Sequence, residues 1–179
     1  MITYSNSSAG PVPKGSEAII MLNQPTSSDG SSKSSKEVRT ITSRFGEVSI
    51  DPAKTIHFSR GLLGIPDRSR FVLVNFPSEK MQQFMLLQSV EEDALSFITL
   101  PLPLDNSIIM PADIEATCKD LQIAEANLAL MVIVSVHRSP TQVKLSVNAR
   151  APLFIDAERR AGTQYVFQND AYKIQHMLD

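Results

Sequence analysis

The chain has 179 residues, 42% of them hydrophobic, with a formal net charge of −2 and a single cysteine. This length suits one domain, a lone cysteine excludes an intramolecular disulfide, and no run reaches the roughly 20 apolar residues of a membrane span. The near-neutral charge and the lack of a Lys/Arg cluster larger than Arg159–Arg160 argue against direct nucleic-acid binding. With no recognisable secretory signal, we expect a cytoplasmic protein.

The first 37 residues differ in composition from the rest of the chain. They contain ten serines, three prolines and three glycines, with few large apolar side chains. Such a segment buries too little apolar surface to offset an ordering cost of about 1–2 kcal/mol per residue. We predict a disordered tail over residues 1–37 and one folded domain over residues 38–179. The short apolar run AIIMLN (18–23) leaves open that part of the tail docks on the domain.

Beyond residue 37, short β-rich runs alternate with turn residues. The segment VRTITSRFGEVSID (38–51) predicts a hairpin around Phe45–Gly46, and KTIHF (54–58) predicts a third strand. Gly61 and Gly64 mark the following loop as one that needs backbone angles unfavourable for other residues. Further strands are predicted at 70–76, 83–89 and 96–102.

The segment MPADIEATCKDLQ (110–122) predicts the one clear helix. Pro111 stands near its start, and Ile114, Cys118 and Leu121 form a narrow apolar stripe that would lie against a sheet. Cys118 is therefore interpreted as a small core residue, because no neighbouring base suggests an activated thiolate.

The most apolar run, NLALMVIVSVH (127–137), is rich in β-branched residues, which favours a central strand over a buried helix. The segment 143–149 would pair with it across a tight turn, and strands at 152–156, 163–168 and 171–177 complete the set. About ten short strands against one clear helix predict a mainly β fold, a small antiparallel β-barrel-like domain or sandwich with one or two short helices.

The motifs of common enzyme classes are missing from the sequence. There is no nucleophile elbow, dinucleotide fingerprint or phosphate-binding loop. His57, His137 and His176 have no metal-ligand spacing, although a site built from His57, His137 and an acid stays open as an alternative. We expect no catalysis, no cofactor and no metal.

Charge is distributed unevenly along the chain. No Lys or Arg lies between Lys80 and Lys119, whereas six acids do: Glu91, Glu92, Asp93, Asp105, Asp113 and Glu115. The acids are either solvated turn residues or part of a negative surface that speeds encounter with a basic partner.

Several motifs together resemble the FliW family of bacterial flagellar assembly factors. They lie in FSRGLLGIPDRSRFVLV (58–74), QFMLLQSVEEDALSF (83–97), VNARAPLFID (147–156) and RAGTQYV (160–166). The matching positions are Gly61, Leu62, Gly64, Phe71, Val72, Leu73, Leu87, Gln88, Ser89, Glu91, Phe97, Asn148, Ala151, Pro152, Gly162, Gln164, Tyr172 and His176. The resemblance spans Val38 to Leu178, with Leu86 where the family usually has tryptophan and Gln83 where it often has proline.

The resemblance implies a non-enzymatic binding protein with a barrel-like fold. Members of the family bind flagellin in the cytoplasm and also bind CsrA, a basic, dimeric, RNA-binding translational regulator. Free FliW captures CsrA and relieves its repression of flagellin mRNA translation, and accumulating flagellin occupies FliW so that repression returns.

Two partner-binding surfaces are predicted by combining the resemblance with the residues. Glu91, Glu92 and Asp93 would face CsrA, while Gln88 and Ser89 shape the strand end through hydrogen bonds to the backbone. A second set, Asn148 and Pro152, begins a strand whose proline suggests an edge or a bulge, where flagellin would pair. A protected edge is the alternative interpretation there.

Two rival functions remain open: a small-molecule-binding or enzymatic β-barrel, and a general chaperone for exported subunits. Because no self-complementary apolar face is evident, we expect a monomer.

Overall fold

A computed structural model describes residues 16–24 and 38–178. These residues form eleven strands and two α-helices. The helices are α1 (Ser16–Asn23) and α2 (Pro111–Leu121). The strands are β1 (Arg39–Ser43), β2 (Gly46–Ile50), β3 (Ile56–Phe58), β4 (Arg70–Asn75), β5 (Met85–Ser89), β6 (Ser96–Pro101), β7 (Leu128–Arg138), β8 (Val143–Val147), β9 (Leu153–Asp156), β10 (Ala161–Gln164) and β11 (His176–Leu178).

Seven strands close into a barrel. The ring runs β3-β4-β5-β6-β7-β9-β10 and returns to β3, because β9 pairs with both β7 and β10. The predicted mainly β, barrel-like fold is confirmed. One pair, β3–β10, is parallel, which departs from the expected all-antiparallel pairing. A ring with an odd number of strands cannot alternate direction all the way round, so one parallel pair is unavoidable.

The barrel interior is filled by side chains. Alternate residues of the ring strands point to the same face, and one such set forms a buried cluster that we call the interior cluster. Its largest members are Ile56, Phe58, Phe71, Leu73, Met85, Leu87, Met131, Leu153 and Ile155. A seven-stranded ring is narrow enough for side chains to fill, so the interior is a packed core.

The outer face of the ring is also largely covered. Val72, Leu86 and Phe154 point outward and share a second buried cluster with residues of the β1–β2 hairpin, α2 and the C-terminal segment. Burial on both faces explains why β7 reads as a nearly continuous apolar run. The predicted central strand and its β8 hairpin partner are confirmed.

Two predicted strands are shorter than expected. The sequence predicts strands at 163–168 and 171–177, but β10 ends at Gln164 and β11 covers only His176–Leu178. Tyr165 and Phe167 leave the sheet because their rings stack against Phe154 and each other, with centroids 5.4–6.4 Å apart. Aromatic packing therefore replaces strand pairing over this segment.

Helix α2 follows the prediction. Pro111 is its first residue, Ile114 and Cys118 are buried, and Gln122 ends it in the left-handed conformation with φ 56°. Burial, helped by the negative charge of Glu125, raises the pKa of Cys118 to about 11. The thiol therefore stays protonated at neutral pH, and its interpretation as a core residue is confirmed.

Helix α1 closes one end of the barrel. Ala18 and Leu22 are 1% and 2% exposed and join the interior cluster, and the helix packs against β4, β7 and the short turn at Glu125–Asn127. For residues 16–24 the structure differs from the expected disorder, and the docking alternative left open for residues 18–23 is correct. Burial of a leucine side chain is worth about 1.5–3 kcal/mol, which offsets part of the cost of ordering the helix. The rest of the predicted tail lies outside the described residues.

The loop of residues 59–69 closes the opposite end. Leu62 is 3% exposed and packs into the interior cluster. Gly61 and Gly64 have φ values of +63° and +85°, so the special backbone angles predicted for them are confirmed. Within the described part of the chain, no helix is long and apolar enough to span a bilayer.

Gly162 supplies a test of the barrel wall. It pairs with Phe58 across the parallel strands, and a Cβ atom at residue 162 would lie 2.4 Å from the Phe58 ring. We expect Gly162→Ala to lower the free energy of unfolding by about 1–3 kcal/mol, because the ring must move within a packed core. Urea denaturation measures the loss, and Ala161→Ser on the exposed neighbouring position serves as the control. An unchanged midpoint for Gly162→Ala would contradict this packing.

Candidate protein-binding site

The predicted CsrA-facing residues lie in and beside the turn between β5 and β6, here called the acidic turn (residues 89–95). Gln88 and Ser89 end β5 and are both fully buried. The Gln88 side-chain amide nitrogen lies 3.0–3.3 Å from four carbonyl oxygens, those of Ser89, Glu92, Asp93 and Leu95. A single buried side chain therefore holds the backbone of the whole turn.

Ser89 holds the start of the same turn. Its hydroxyl oxygen accepts hydrogen bonds from the backbone N–H groups of Glu91 and Glu92, both at 3.1 Å. The predicted shaping of the strand end by Gln88 and Ser89 is confirmed. Their role in partner binding stays a prediction. Because both side chains are buried, that predicted role is to position the turn and not to contact the partner.

Glu91 is a structural carboxylate. One of its oxygens accepts hydrogen bonds from the backbone N–H groups of Ser69 and Arg70, each at 3.0 Å, and the other lies 3.5 Å from the Arg70 guanidinium. The backbone N–H of Arg70 holds the pKa of Glu91 below its ordinary value, and the Ser69 N–H and the Arg70 charge act in the same direction. Glu91 therefore fastens the acidic turn to the start of β4.

The other two acids of the turn are also paired within the chain. Arg68 lies 3.2 Å from Glu92, and Arg39 lies 3.2 Å from Asp93. All four side chains are about half exposed, so each pair is worth about 0–1 kcal/mol. Three arginines thus offset the three negative charges, and the acidic turn carries less negative field than its sequence suggests.

The second predicted surface is not a sheet edge. Strand β9 pairs with β7 on one side and β10 on the other, and Leu153, Phe154 and Ile155 are fully buried. The expected free edge is absent, because barrel closure uses both hydrogen-bonding sides of this strand and leaves none for flagellin to pair with. A role of Asn148 and Pro152 in partner binding stays a prediction. Asn148 and Pro152 have structural positions: the Asn148 side chain accepts a hydrogen bond from Ala151 N–H, and the Pro152 carbonyl accepts one from Tyr165 N–H.

An apolar cleft of about 610 Å³ lies beside α2 and is here called the α2 cleft. Apolar side chains of Leu104, Ile114 and Ile123 form its floor, together with Cys118. Three acids stand around it: Asp105, Glu115 and Glu125.

The charge around the α2 cleft is only partly offset. The one lysine in its lining, Lys119, lies 2.7 Å from Glu115, and this hydrogen-bonded pair lowers the pKa of Glu115 and raises that of Lys119. Among residues 16–24 and 38–178, Asp105 and Glu125 take part in no salt bridge. The cleft therefore combines an apolar floor with two carboxylates that have no salt-bridge partner among the described residues, while the Arg159 guanidinium donates a hydrogen bond to the carbonyl oxygen of Gln122, another lining residue.

The sequence pointed to Asp105 and Glu115 as part of the acidic stretch but missed Glu125. The sequence signal for this cleft was that an apolar residue lies close to each acid, Leu104 beside Asp105 and Ile123 near Glu125. These two segments come together only because of how α2 packs on the barrel, which local sequence does not reveal.

The three histidines lie on different strands, His57 on β3, His137 on β7 and His176 on β11. The Nε2 atom of His137 lies 2.7 Å from the Ser146 hydroxyl. In the described residues, no three His, Cys, Asp or Glu side chains form a group able to hold a metal ion.

Comparison with known proteins places this barrel in a family. The family model described as FliW protein matches residues 39–178. The chain belongs to the FliW family. Curated relatives include the flagellar assembly factor FliW of Geotalea uraniireducens, 29% identical over 139 residues that cover 78% of this chain and 83% of the relative. The protein of the same name from Bacillus pumilus is 30% identical over 140 residues, covering 77% and 94%.

A solved structure agrees with the sequence comparisons. The crystal structure of the flagellar assembly factor FliW aligns with a TM-score of 0.61 and 28% identity, covering 78% of this chain and 96% of that chain. The resemblance to FliW deduced from the sequence motifs is confirmed. The matched region contains the acidic turn and the α2 cleft, whereas α1 precedes it.

The structural role of Glu91 gives a pH-dependent prediction. Its folded-state pKa lies below the ordinary value of 4.5, so the stability it contributes is present above that value and is lost as the pH falls through the lowered pKa. We expect Glu91→Gln to lower the free energy of unfolding by about 1–2 kcal/mol at neutral pH. Urea denaturation between about pH 7 and about pH 3 should show the difference from wild type shrinking towards acid.

Glu92→Gln is the matched control for this prediction. Its half-exposed pair with Arg68 is worth about 0–1 kcal/mol. Equal losses in the two variants would show that Glu91 is an ordinary surface acid.

Proposed function

We propose that this chain is a cytoplasmic flagellar assembly factor that binds flagellin and also binds CsrA, relieving repression of flagellin mRNA translation. The observation that carries the proposal is the FliW family match over residues 39–178, with relatives named flagellar assembly factors. The barrel supports binding at the surface of the molecule, because side chains fill the interior space that a substrate would otherwise occupy.

The direct test is a titration with purified partners. We expect the chain to bind flagellin and CsrA, and to release CsrA from a flagellin mRNA leader fragment. Added flagellin should restore the CsrA–RNA complex, because in this proposal flagellin and CsrA compete for the chain. Binding to several unrelated exported proteins with similar affinity would favour a general chaperone instead. Binding to neither partner would refute the proposal.

The charges of the barrel surface support a location for the basic partner. CsrA must present cations to grip RNA, and a partner of that kind is attracted by negative charge that the chain has not already neutralised. Arginines pair with the acids of the acidic turn, whereas Asp105 and Glu125 stand beside an apolar floor without ion pairs among the described residues. We propose that the α2 cleft contributes more to CsrA association than Glu91, Glu92 and Asp93 do.

Charge replacement tests this location. We expect Asp105→Lys with Glu125→Lys to slow CsrA association about 3–10-fold and to flatten its salt dependence, because steering by negative charge is lost. The rates are measured by surface binding kinetics at several salt concentrations.

The matched control is Glu92→Ser with Asp93→Ser, which leaves the structural Glu91 in place. We expect a change in association of less than about twofold, because both acids are already paired. A larger effect from this control than from the cleft variant would assign the CsrA surface to the acidic turn. If neither variant changes the rate of CsrA association, both surfaces are excluded as the CsrA-binding site.

The small-molecule alternative has one specific observation in its favour. The α2 cleft, at about 610 Å³, falls in the size range of ligand pockets, roughly 300–1,000 Å³. A metabolite or chromophore that stays with the purified protein, and is lost when Ile114 is replaced by a charged residue, would support this function over partner binding.

A further inference from the structure

Helix α1 is an addition to the part of the chain shared with its relatives. The family match begins at residue 39, and 78% of this chain covers 96% of the solved FliW chain. That protein therefore has little sequence left over to supply an equivalent of α1. The FliW barrel does not require this helix, so its presence here calls for a separate explanation.

The surface beneath α1 is suited to an apolar helix. Two residues four positions apart, Ala18 and Leu22, point into the open end of the barrel and complete the interior cluster. Residues four apart lie on one face of a helix. The site therefore accepts a small apolar side chain followed, one turn later, by a large one.

Arg160 recognises the end of the same helix. Its two terminal nitrogens donate hydrogen bonds to the carbonyl oxygens of Leu22 and Gln24, at 3.2 and 3.1 Å. Backbone carbonyls at a helix C-terminus have no partner within the helix, so these contacts suit any helix that ends at this point. Arg160 also has a φ of 50°, a backbone angle that is unfavourable for a residue with a side chain.

The helix is held by few contacts. It has eight residues; Ala18 and Leu22 are buried and Ile19 is partly buried against the interior cluster, whereas Ile20 and Met21 remain 50% and 40% exposed. A helix of this length is not stable alone in water and depends on its packing. Elements of this kind open more readily than core strands.

We propose that this end of the barrel is a binding site for an amphipathic helix of a partner protein and that α1 is its resident occupant. The partner helix presents a small apolar residue followed four positions later by a large one, and it binds after α1 leaves. The partner helix can bind only to those molecules from which α1 has detached. The apparent Kd for the partner therefore equals the intrinsic Kd divided by the fraction of molecules in that state.

A peptide in trans tests the site. A fluorescent peptide of residues 14–26 is titrated, by anisotropy, into the full-length chain and into the full-length variant Ala18→Asp with Leu22→Asp. We expect the variant to bind the peptide at least about tenfold more tightly than wild type, because its own helix no longer occupies the site. A peptide carrying Leu22→Asp should not bind. A second peptide that keeps Ala18, Ile19 and Leu22, with the exposed Ile20 and Met21 exchanged for other helix formers, should compete.

Two controls keep the outcome decisive. The variant Ile20→Asp with Met21→Asp changes only the exposed face of α1 and should bind the peptide like wild type. Hydrogen exchange of the wild-type chain should show α1 amides exchanging faster than those of β7, and the same measurement on Ala18→Asp/Leu22→Asp should show the β7 protection retained.

The inference is overturned if the double-aspartate variant keeps its β7 protection yet fails to bind the peptide, or if that protection is lost. Equal protection of α1 and β7 in the wild type would also overturn it, because the helix would then be a permanent part of the core. Neither flagellin nor CsrA is used, so the result does not depend on the proposed function.

Discussion

The pairing of β9 with β7 is the contact on which the rest of the structure depends. It closes the sheet into a ring, and because the ring has seven strands, at least one neighbouring pair must be parallel; here that pair is β3–β10. That pair places Gly162 directly against Phe58, where no side chain fits. Closure also gives each of the seven ring strands a neighbour on both sides, so the free strand edges of the described residues lie outside the ring, on β11 and the β1–β2 hairpin.

The two ends of the barrel are built differently. At one end, an apolar helix with few contacts covers the interior cluster. At the other, the loop containing Leu62 and the acidic turn are tied down by polar side chains, above all Gln88, Ser89 and Glu91. The polar residues in and beside the acidic turn are thus explained mainly by the hydrogen bonds that they make to backbone N–H and carbonyl groups.

Local sequence predicted most of the strands but not how the ring closes. Local patterns predicted three elements that the structure confirms: the β-branched run of β7, the first hairpin, and the start of α2 at Pro111. Pro152 suggested an edge because a proline lacks an N–H group. The pairing partners of the following strand lie on β7 and β10, and the β7 partners are distant in sequence, so the sequence pattern did not reveal that both sides are used.

The candidate site shows the same limit. The hydrogen bonds of Gln88 and Ser89 are local and were predicted, whereas the arginines that pair with Glu92 and Asp93 come from 24 and 54 positions away. The composition of the sequence showed the negatively charged stretch but not the arginines from other segments that neutralise it. Docking of residues 18–23 was left as an alternative because a run of six residues, AIIMLN, carries too little information to decide between docking and disorder.

The three arginine–carboxylate pairs make the acidic turn a zwitterionic patch. Such a patch has a short-ranged field, so it neither attracts nor repels an approaching macromolecule from a distance greater than the Debye length of about 8 Å in physiological salt. A protein that docks there must exchange its own ions for the resident ones, pair by pair. Only a partner surface whose positive and negative groups have matching spacing compensates for that exchange. The patch therefore selects partners by the arrangement of their charges and not by their net charge.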